Sequence, residues 1–189
     1  MVFIEEKEVD KILAVSDLHI GNIRTDYEAI QHLFLHRLWR KGQKGAGRML
    51  VVIGDLIDSS NMYQIQSLLQ LPRTFDIQRI LLLWLNDLIE KDVEKILVVG
   101  NHERNLERNN ILPFLKALGW KIYKVFYCIR NKEYFNRPTP ARTFLFVHCS
   151  VKSSRGSRIV SKTPLLQFFD YILAREIGAD FYVAGHIHK

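Results

Sequence analysis

Histidines and carboxylates recur along this sequence in short groups, each directly after a run of apolar residues. The groups read "SDLH", "GDLID", "GNHE", "VHC" and "GHIH", and together they hold five of the seven histidines. That placement predicts shared chemistry rather than histidines scattered over a surface. The residues concerned are Asp17, His19, Asp55, Asp58, Asn101, His102, Glu103, His148, His186 and His188.

The types of these residues select a class of metal ion. Imidazole nitrogen with carboxylate and amide oxygen, without thiolate, suits divalent ions such as Mn, Fe or Zn. The candidate ligands are too many for one ion, so the sequence predicts two ions that share a bridging carboxylate. Two ions about 3.5–4 Å apart can hold both the attacking and the leaving oxygen of a phosphoryl displacement. Water bound to such an ion ionises at about pH 7, which supplies hydroxide without a strong protein base.

Six apolar runs predict β-strands, and five of them lead into one of the polar groups. In open α/β sheets ligands gather outside the carboxyl ends of the strands, and the groups lie at those ends. The sheet itself therefore predicts that the groups meet in one site. The predicted strands are "KILAVSD", "RMLVVIGD", "KILVVGN", "KIYKVFYCIR", "TFLFVHC" and "DFYVAGH".

Helix-period segments lie between these strands. The first spans 26–40, with Thr25 and Glu28 as a capping box, and the second spans 76–91. A third begins at Pro164 behind Thr163 and is followed by Gly178. The apolar stripe that the second helix is expected to bury consists of Ile77, Ile80, Leu81, Trp84 and Leu88.

The alternation of strand and helix predicts an α/β layered fold with a mixed, largely parallel sheet flanked by helices. A length of 189 residues fits a single domain over 1–189. The stretch "NKEYFNRPTPAR" is expected to join two neighbouring antiparallel strands.

Composition limits the partners and the compartment. The net charge of +7 favours polyanions such as nucleic acid or phosphorylated substrates, although a basic surface without a partner fits it too. The longest apolar run is far shorter than the roughly 20 residues of a membrane helix, and the N-terminus turns acidic at once. Cys128 and Cys149 could form one disulfide at most. We expect a reduced, cytoplasmic protein without a membrane partner.

In chain order the polar groups read Asp-x-His, Gly-Asp-x-x-Asp, Gly-Asn-His-Glu, a His after a strand, and Gly-His-x-His. This series resembles the calcineurin-like metallophosphoesterases, and it spans Asp17 to His188. Each group alone is a weak signal, whereas five in this order at strand ends are specific. The resemblance implies a metallophosphoesterase-like fold and a phosphoesterase in which a hydroxide bridging two divalent ions attacks the ester. Mn is the preferred ion, with Fe, Zn or Mg as alternatives.

The resemblance also implies how the ligands divide between the two ions. Asp55 would bridge them, and the Gly-His-x-His pair would give one histidine to each ion. The implied ligands are Asp17, His19, Asp55 and His188 for the first ion, and Asp55, Asn101, His148 and His186 for the second.

Three further residues of these groups would not bind metal. By the resemblance, His102 would stabilise the transition state or protonate the leaving oxygen, and Glu103 would orient and charge-balance His102. For Asp58 the sequence leaves two interpretations open, an outer support of the ligands or a helix N-cap or turn residue.

The chain departs from the family pattern in three places. Cys149 stands where Gly is common, and Ser59 and Ser60 stand where the protein-phosphatase subgroup has Arg-Gly. Family members usually continue past Gly-His-x-His into strands that complete a second sheet. We therefore expect a second sheet that is incomplete at the C-terminus. The chain is then either a piece of a longer protein or a domain whose edge is covered by a partner subunit or a second copy.

The substrate is predicted from charge and motif form. The segment "CSVKSSRGSRIVSK" carries Arg155 and Arg158, and Arg104 follows "GNHE"; these are the candidate substrate-binding residues, unless the segment is only a solvated loop. The forms "SDLHIG" and "GHIH" look like the nuclease and cyclic-nucleotide phosphodiesterase branches of the superfamily. We favour a phosphodiesterase, with DNA or RNA as candidate substrate. The alternatives are a phosphomonoesterase or nucleotide phosphatase, and a metal-binding non-catalytic subunit of a larger complex.

Overall fold

The described part of the chain folds into two β-sheets, and three helices pack on one of them. The structure, a computed structural model, describes residues 4–9, 11–34, 47–58, 75–100, 102–103, 111–124, 126–131, 141–148 and 175–185. Its elements are β1 (Glu5–Lys7), β2 (Lys11–Val15), α1 (Tyr27–His32), β3 (Arg48–Ile53), α2 (Phe75–Leu88), β4 (Val93–Val98), α3 (Ile111–Ala117), β5 (Trp120–Tyr123), β6 (Phe126–Asn131), β7 (Arg142–His148) and β8 (Phe181–Gly185).

The two sheets differ in strand direction. The first has the order β2-β3-β4-β5, and all of its strands are parallel. The second has the order β1-β6-β7-β8, in which only the β6–β7 pair is antiparallel. The predicted α/β class and the mostly parallel strands are thus confirmed.

Strand β3 shows why the core has two layers. Met49, Val51 and Ile53 face the second sheet, whereas Leu50 and Val52 face the helices. Because both faces are covered, the strand is apolar from Met49 to Ile53 instead of alternating with polar residues. The carboxyl ends of β2, β3 and β4 therefore emerge together from a rigid layer.

The predicted strand "KIYKVFYCIR" is wrong as a single element. Its first half belongs to β5, which pairs with β4, and its second half is β6, which pairs with β1 and β7 in the other sheet. The apolar pattern continues where the chain passes from one sheet to the other, so the sequence does not distinguish one long strand from two short ones. Sequence reasoning also missed β1, because "EEK" is fully charged.

Helix starts and faces were less predictable than strand positions. The cap of α1 is Asp26, whose side chain accepts a hydrogen bond from Ala29 N at 2.8 Å. Thr25 Oγ1 instead donates to His19 O at 2.7 Å, so the expected capping box is wrong. Helix α2 exists as predicted, and Leu81, Trp84 and Leu88 of its expected stripe pack against the core. Ile80 is instead 61 % exposed, and Leu82, outside that stripe, is buried. Apolar residues surround most of this helix, so periodicity alone could not select its buried face.

Helix α3 and the third predicted helix have different outcomes. Sequence reasoning missed α3, which is short and contains Pro113; proline is tolerated there because the first-turn N–H needs no partner. The predicted segment from Pro164 lies outside the described residues up to 174. Gly178, its expected C-cap, has a φ of 68°, the left-handed conformation that such a cap needs.

A group of charged side chains ties the two sheets together. Glu5 and Lys7 of the second sheet meet Glu94 and Lys121 of the first: Lys7 Nζ lies 2.5 Å from Glu94 and 2.9 Å from Glu5, and Lys121 Nζ lies 2.6 Å from Glu94. Two phenol groups donate to Glu5 at 3.1 Å each. We call this set the lysine–glutamate network; its members are Glu5, Lys7, Glu94, Lys121, Tyr123 and Tyr127.

Two smaller expectations concern cysteine and the membrane. Cys128 is buried and free, and burial raises the pKa of its thiol. Cys149 lies outside the described residues. Within the described part of the chain, no helix is both long and apolar enough to cross a membrane.

Candidate metal centre

The segments after β2 and β3 continue to pair beyond the ends of the strands. Backbone hydrogen bonds join Asp17 N to Gly54 O at 3.2 Å and His19 N to Asp55 O at 2.9 Å. Ile20 N donates to Leu56 O, and Asp58 N donates back to Ile20 O, both at 2.9 Å. The two polar groups are therefore fixed to each other through the main chain rather than carried on independent loops.

Three residues in these segments have an unusual backbone conformation. Asp17, His19 and Asp55 have φ values of 55°, 46° and 47°, in the left-handed region that non-glycine residues rarely adopt. Such a conformation costs about 1–3 kcal/mol per residue and persists only where the surrounding structure enforces it. Among the residues that the structure describes, the non-glycine residues in this conformation are three of the predicted metal ligands.

Close packing brings His148 from the second sheet to this point. Its Nδ1 lies 2.9 Å from Ile53 O, and its Nε2 lies 3.4 Å from Asp55 Oδ2. A Cβ on Gly54, whose φ is 67°, would overlap the His148 ring. A Cβ on Gly100 would overlap the Asp55 carboxylate. Glycine at position 54 therefore lets His148 of the second sheet approach, and glycine at position 100 leaves room for the Asp55 carboxylate.

The donor atoms fit a divalent ion. Ligand atoms of Asp17, His19 and Asp55 all lie within 4.8 Å of one another. An ion holds such atoms at about 2.0–2.2 Å, so small side-chain rotations would bring all three onto one ion. The 3.4 Å between His148 Nε2 and Asp55 Oδ2 is close to the spacing of two ligands on one ion. Asp55 thus has a predicted ligand on each side, as its proposed bridging role requires.

Glu103 connects the segments that follow β3 and β4 through hydrogen bonds to their backbone. It is fully buried, and its Oε2 accepts hydrogen bonds from Asp55 N at 2.9 Å and Gly100 N at 2.8 Å. Its Oε1 accepts from Ile57 N at 3.1 Å. The sequence predicted that Glu103 orients and charge-balances His102, and that role stays a prediction. The structure gives its carboxylate three main-chain partners, which fix the ends of β3 and β4 relative to each other.

Asp58 is the residue that contacts the ring of His102. Asp58 Oδ1 lies 3.1 Å from His102 Nδ1 and 3.8 Å from His19 Nδ1, and the two imidazole rings meet edge to face at 4.8 Å. His102 N also donates to Asp55 Oδ1 at 3.0 Å. The backbone of Asp58 belongs to the pairing between the segments after β2 and β3, and its carboxylate faces two histidines, which favours the interpretation as an outer support. We call Asp17, His19, Asp55, Asp58, His102, Glu103 and His148 the carboxylate–histidine cluster.

Charge interactions in the cluster favour positive charge on its histidines. Burial lowers the pKa of His102, but its hydrogen bond to Asp58 and the charge of Asp55 outweigh burial and raise it. The pKa of His148 is raised in the same way, against burial, by Asp55. For Asp58, burial is outweighed by the contacts with the two histidines, and its pKa lies well below its usual range. A centre that stabilises imidazolium in this way also stabilises a divalent cation.

Burial raises the pKa of Glu103, and here nearby groups do not outweigh it. Removal from water and then the nearby charge of Asp55 raise the pKa of its carboxyl group, against three main-chain donors that lower it. Two buried carboxylates therefore repel each other across one backbone segment, and bound cations would relieve that repulsion.

Several predicted residues cannot be placed. Asn101, Arg104, Arg155, Arg158, His186 and His188 lie outside the described residues. Gly185, directly before His186, pairs in register with His148. Sequence reasoning missed Asn22, whose Nδ2 donates to Asp58 Oδ2 at 2.7 Å. The only sequence signal for it was its position three residues after His19.

Two packed sheets that bring histidines and carboxylates together at their strand ends define a metal-binding α/β protein. The chain matches the family model of the calcineurin-like phosphoesterases over residues 10–189. It therefore belongs to the calcineurin-like phosphoesterase family, whose members are generally metal-dependent hydrolases of phosphoester bonds. No curated protein sequence matches the chain. The resemblance inferred from the motifs is thus confirmed.

Proposed function

We propose that the chain is a metal-dependent phosphodiesterase that acts on nucleic acid, with His102 as the proton donor to the leaving group. The observation that carries this proposal is the position of the His102 ring, edge to face with His19 at 4.8 Å and held by Asp58. A protonated imidazole next to a metal ligand can protonate an oxygen that leaves a metal-bound phosphate.

The cluster supplies the residues for two divalent ions. Asp17, His19 and Asp55 would hold the first, and Asp55 with His148 would begin the second. When bound, the ions would activate water and neutralise phosphate charge. The family match supports binuclear metal binding, and Mn is the ion that we propose. The remaining proposed ligands are Asn101, His186 and His188.

Residues of the chain itself would then orient the His102 ring and protonate the leaving oxygen. Asp58 fixes Nδ1 of His102, which leaves Nε2 as the nitrogen that can give a proton to the leaving oxygen. Against burial, the hydrogen bond to Asp58 and the charge of Asp55 raise the pKa of His102, which favours the protonated ring that this role needs. Glu103 keeps the Asp55 main chain at a fixed distance from Gly100, so the ligand and the proton donor keep their spacing.

The nucleic-acid part of the proposal rests on charge. Among the described residues acidic side chains outnumber basic ones, so the positive excess of the chain comes from its other segments. Two of those segments flank the predicted ligands and include Arg104, Arg155 and Arg158. Basic residues next to a phosphoester centre favour a polyanionic substrate.

A substrate panel tests the proposal. The purified chain is stripped with a chelator, reconstituted with Mn, Zn, Fe or Mg, and given bis-p-nitrophenyl phosphate, p-nitrophenyl phosphate, single-stranded and duplex DNA, and RNA. We expect Mn-dependent cleavage of the diester and of at least one nucleic acid, with slower release from the monoester.

Two results would contradict it. Turnover of the monoester alone would make the chain a phosphomonoesterase. Two bound ions with no turnover of any substrate would make it a non-catalytic metal-binding subunit. Asp87→Asn, a change of an exposed aspartate on α2, serves as the control for preparation and metal loading.

A further inference from the structure

We propose that Asn22 is a positioning residue that sets the orientation of His19 and His102 together, through the single carboxylate of Asp58. This inference rests on the proposed function of His102 as proton donor. Asn22 Nδ2 donates to Asp58 Oδ2 at 2.7 Å, while Asp58 Oδ1 faces Nδ1 of both histidines, at 3.1 Å for His102 and 3.8 Å for His19.

The local hydrogen bonds determine which way the Asn22 amide points. Arg24 N donates to Asn22 Oδ1 at 2.9 Å, so the amide oxygen is already used by the main chain. A flipped amide would place its NH₂ against that N–H and its oxygen against the Asp58 carboxylate. The NH₂ group of Asn22 therefore faces Asp58, as a neutral donor.

The turn that carries Asn22 is itself tied to the metal-ligand segment. Asn22 N donates to His19 O at 3.0 Å, and Thr25 N donates to Asn22 O at 3.1 Å. Gly21, with a φ of 102°, makes the turn possible. The backbone of His19 and the side chain that steadies its Asp58 partner thus belong to one short rigid unit.

The choice of a neutral donor has a chemical consequence. Asn22 occupies Oδ2 and leaves Oδ1 directed at the histidines, without adding a cation that would compete with them for the carboxylate. With the proton of each ring on Nδ1, Nε2 is left to bind metal in His19 and to protonate substrate in His102. Loss of the Asn22 bond should free the Asp58 carboxylate to rotate and should disturb both rings at once.

Two variants of Asn22 distinguish the loss of its hydrogen-bond donor from the addition of a negative charge. Asn22→Asp keeps the shape and the acceptor for Arg24 N but replaces the donor by an oxygen that repels Asp58. Asn22→Ala removes the donor without adding charge. Because changes in residues that orient ligands typically cost about 10–100-fold, we expect kcat to fall by that factor in Asn22→Asp and by less in Asn22→Ala, with KM unchanged. Arg24→Ala is the control, since its backbone N–H remains.

A readout that needs no substrate is the protonation of the ring nitrogens, followed by ¹⁵N nuclear magnetic resonance of the zinc-loaded protein. At a pH at which the His102 ring is neutral, we expect its proton on Nδ1 in the wild type and a mixture of tautomers in both variants. A wild-type His102 with its neutral-form proton on Nε2 overturns the inference, whether or not the variants fold. So do folded variants with wild-type ring signals and wild-type kcat. If the wild-type chain hydrolyses no phosphoester, the proposed function fails, and the ring signals still decide the role of Asn22.

Discussion

Two groups of charged side chains lie at opposite ends of β4. The lysine–glutamate network includes Glu94 near the start of the strand, and the carboxylate–histidine cluster surrounds Gly100 just beyond its end. In the network each glutamate contacts lysine nitrogens, so opposite charges meet in a partly exposed group. In the cluster, the described partners of the carboxylates are imidazoles, an amide and backbone N–H groups.

This difference separates a structural group from a functional one. The negative charge of a carboxylate next to an ammonium group is largely neutralised. A carboxylate held by neutral donors keeps its electrostatic field. The raised pKa values of His102 and His148 show that field at the cluster. The network joins the two sheets. The cluster retains negative charge that two bound cations would neutralise. Changes in the cluster should therefore alter metal and turnover, and changes in the network should alter stability alone.

The largest effect is expected from Asp55→Asn. Its carboxylate is shared between the two sides of the centre, so the change should remove at least one of the two ions that we expect to find. Activity should fall by more than about 100-fold, since even changes in residues that only orient ligands cost about 10–100-fold. Metal is counted by inductively coupled plasma mass spectrometry after reconstitution, with Asp87→Asn as the matched control. An Asp55→Asn protein that keeps both ions would refute the bridging role.

His102→Ala should separate chemistry from metal binding. We expect normal metal content and a loss of about 10²–10⁴ in kcat, the usual contribution of a positioned acid. His32→Ala, a change of an exposed histidine on α1, is the control and should behave as wild type. Full turnover in His102→Ala would exclude the assigned role, and loss of metal would instead make His102 part of the metal-holding structure.

Glu103→Gln should reduce both metal affinity and stability, because Glu103 supports the cluster from within the core. A glutamine offers one acceptor oxygen, so at least one of the N–H groups of Asp55, Ile57 and Gly100 loses its partner. A buried unsatisfied donor costs about 1–3 kcal/mol. We expect that loss in urea unfolding of the metal-free protein, together with about 10–100-fold weaker metal binding by calorimetry. Glu28→Gln, on the exposed side of α1, should change neither quantity.

The sequence placed the residues of the cluster at strand ends, and the structure brings the described ones together, while their roles as ligands stay predictions. Residues such as Asp17, Asp55 and His148 can be recognised in the sequence, because few residue types bind metal and these residues lie at strand ends. The partners of Glu103 could not be predicted, since they are backbone N–H groups that carry no sequence signal. Asn22 was missed for a related reason: asparagine after glycine is an ordinary turn residue, and its role depends on which atom its amide reaches.

The errors in the fold have one physical origin, which is that local patterns do not specify long-range partners. The crossing between β5 and β6 is apolar on both sides, so nothing local marks the change of sheet. Helix α2 carries apolar residues on most of its circumference, so the packing of β3 and β4 against it, not its own period, determined that Leu82 and Leu85 are buried. The lysine–glutamate network joins residues far apart in the chain and was therefore invisible in the sequence.

The smallest effect is expected at high pH and tests the network alone. Burial, and then the charge of Glu5, raise the pKa of Tyr123 to about 12, against about 10 for an ordinary tyrosine. The folded state therefore holds this proton more tightly than the unfolded state, so the contribution to stability is complete below pH about 10 and declines as the pH rises toward about 12. Urea unfolding at a series of alkaline pH values should show this decline in the wild type and a shallower one in Tyr123→Phe. Metal content should be equal in the two proteins. An unchanged pH slope would mean that the burial of the Tyr123 phenol and its Glu5 contact do not persist in solution. Altered metal content would show that the network and the cluster are coupled.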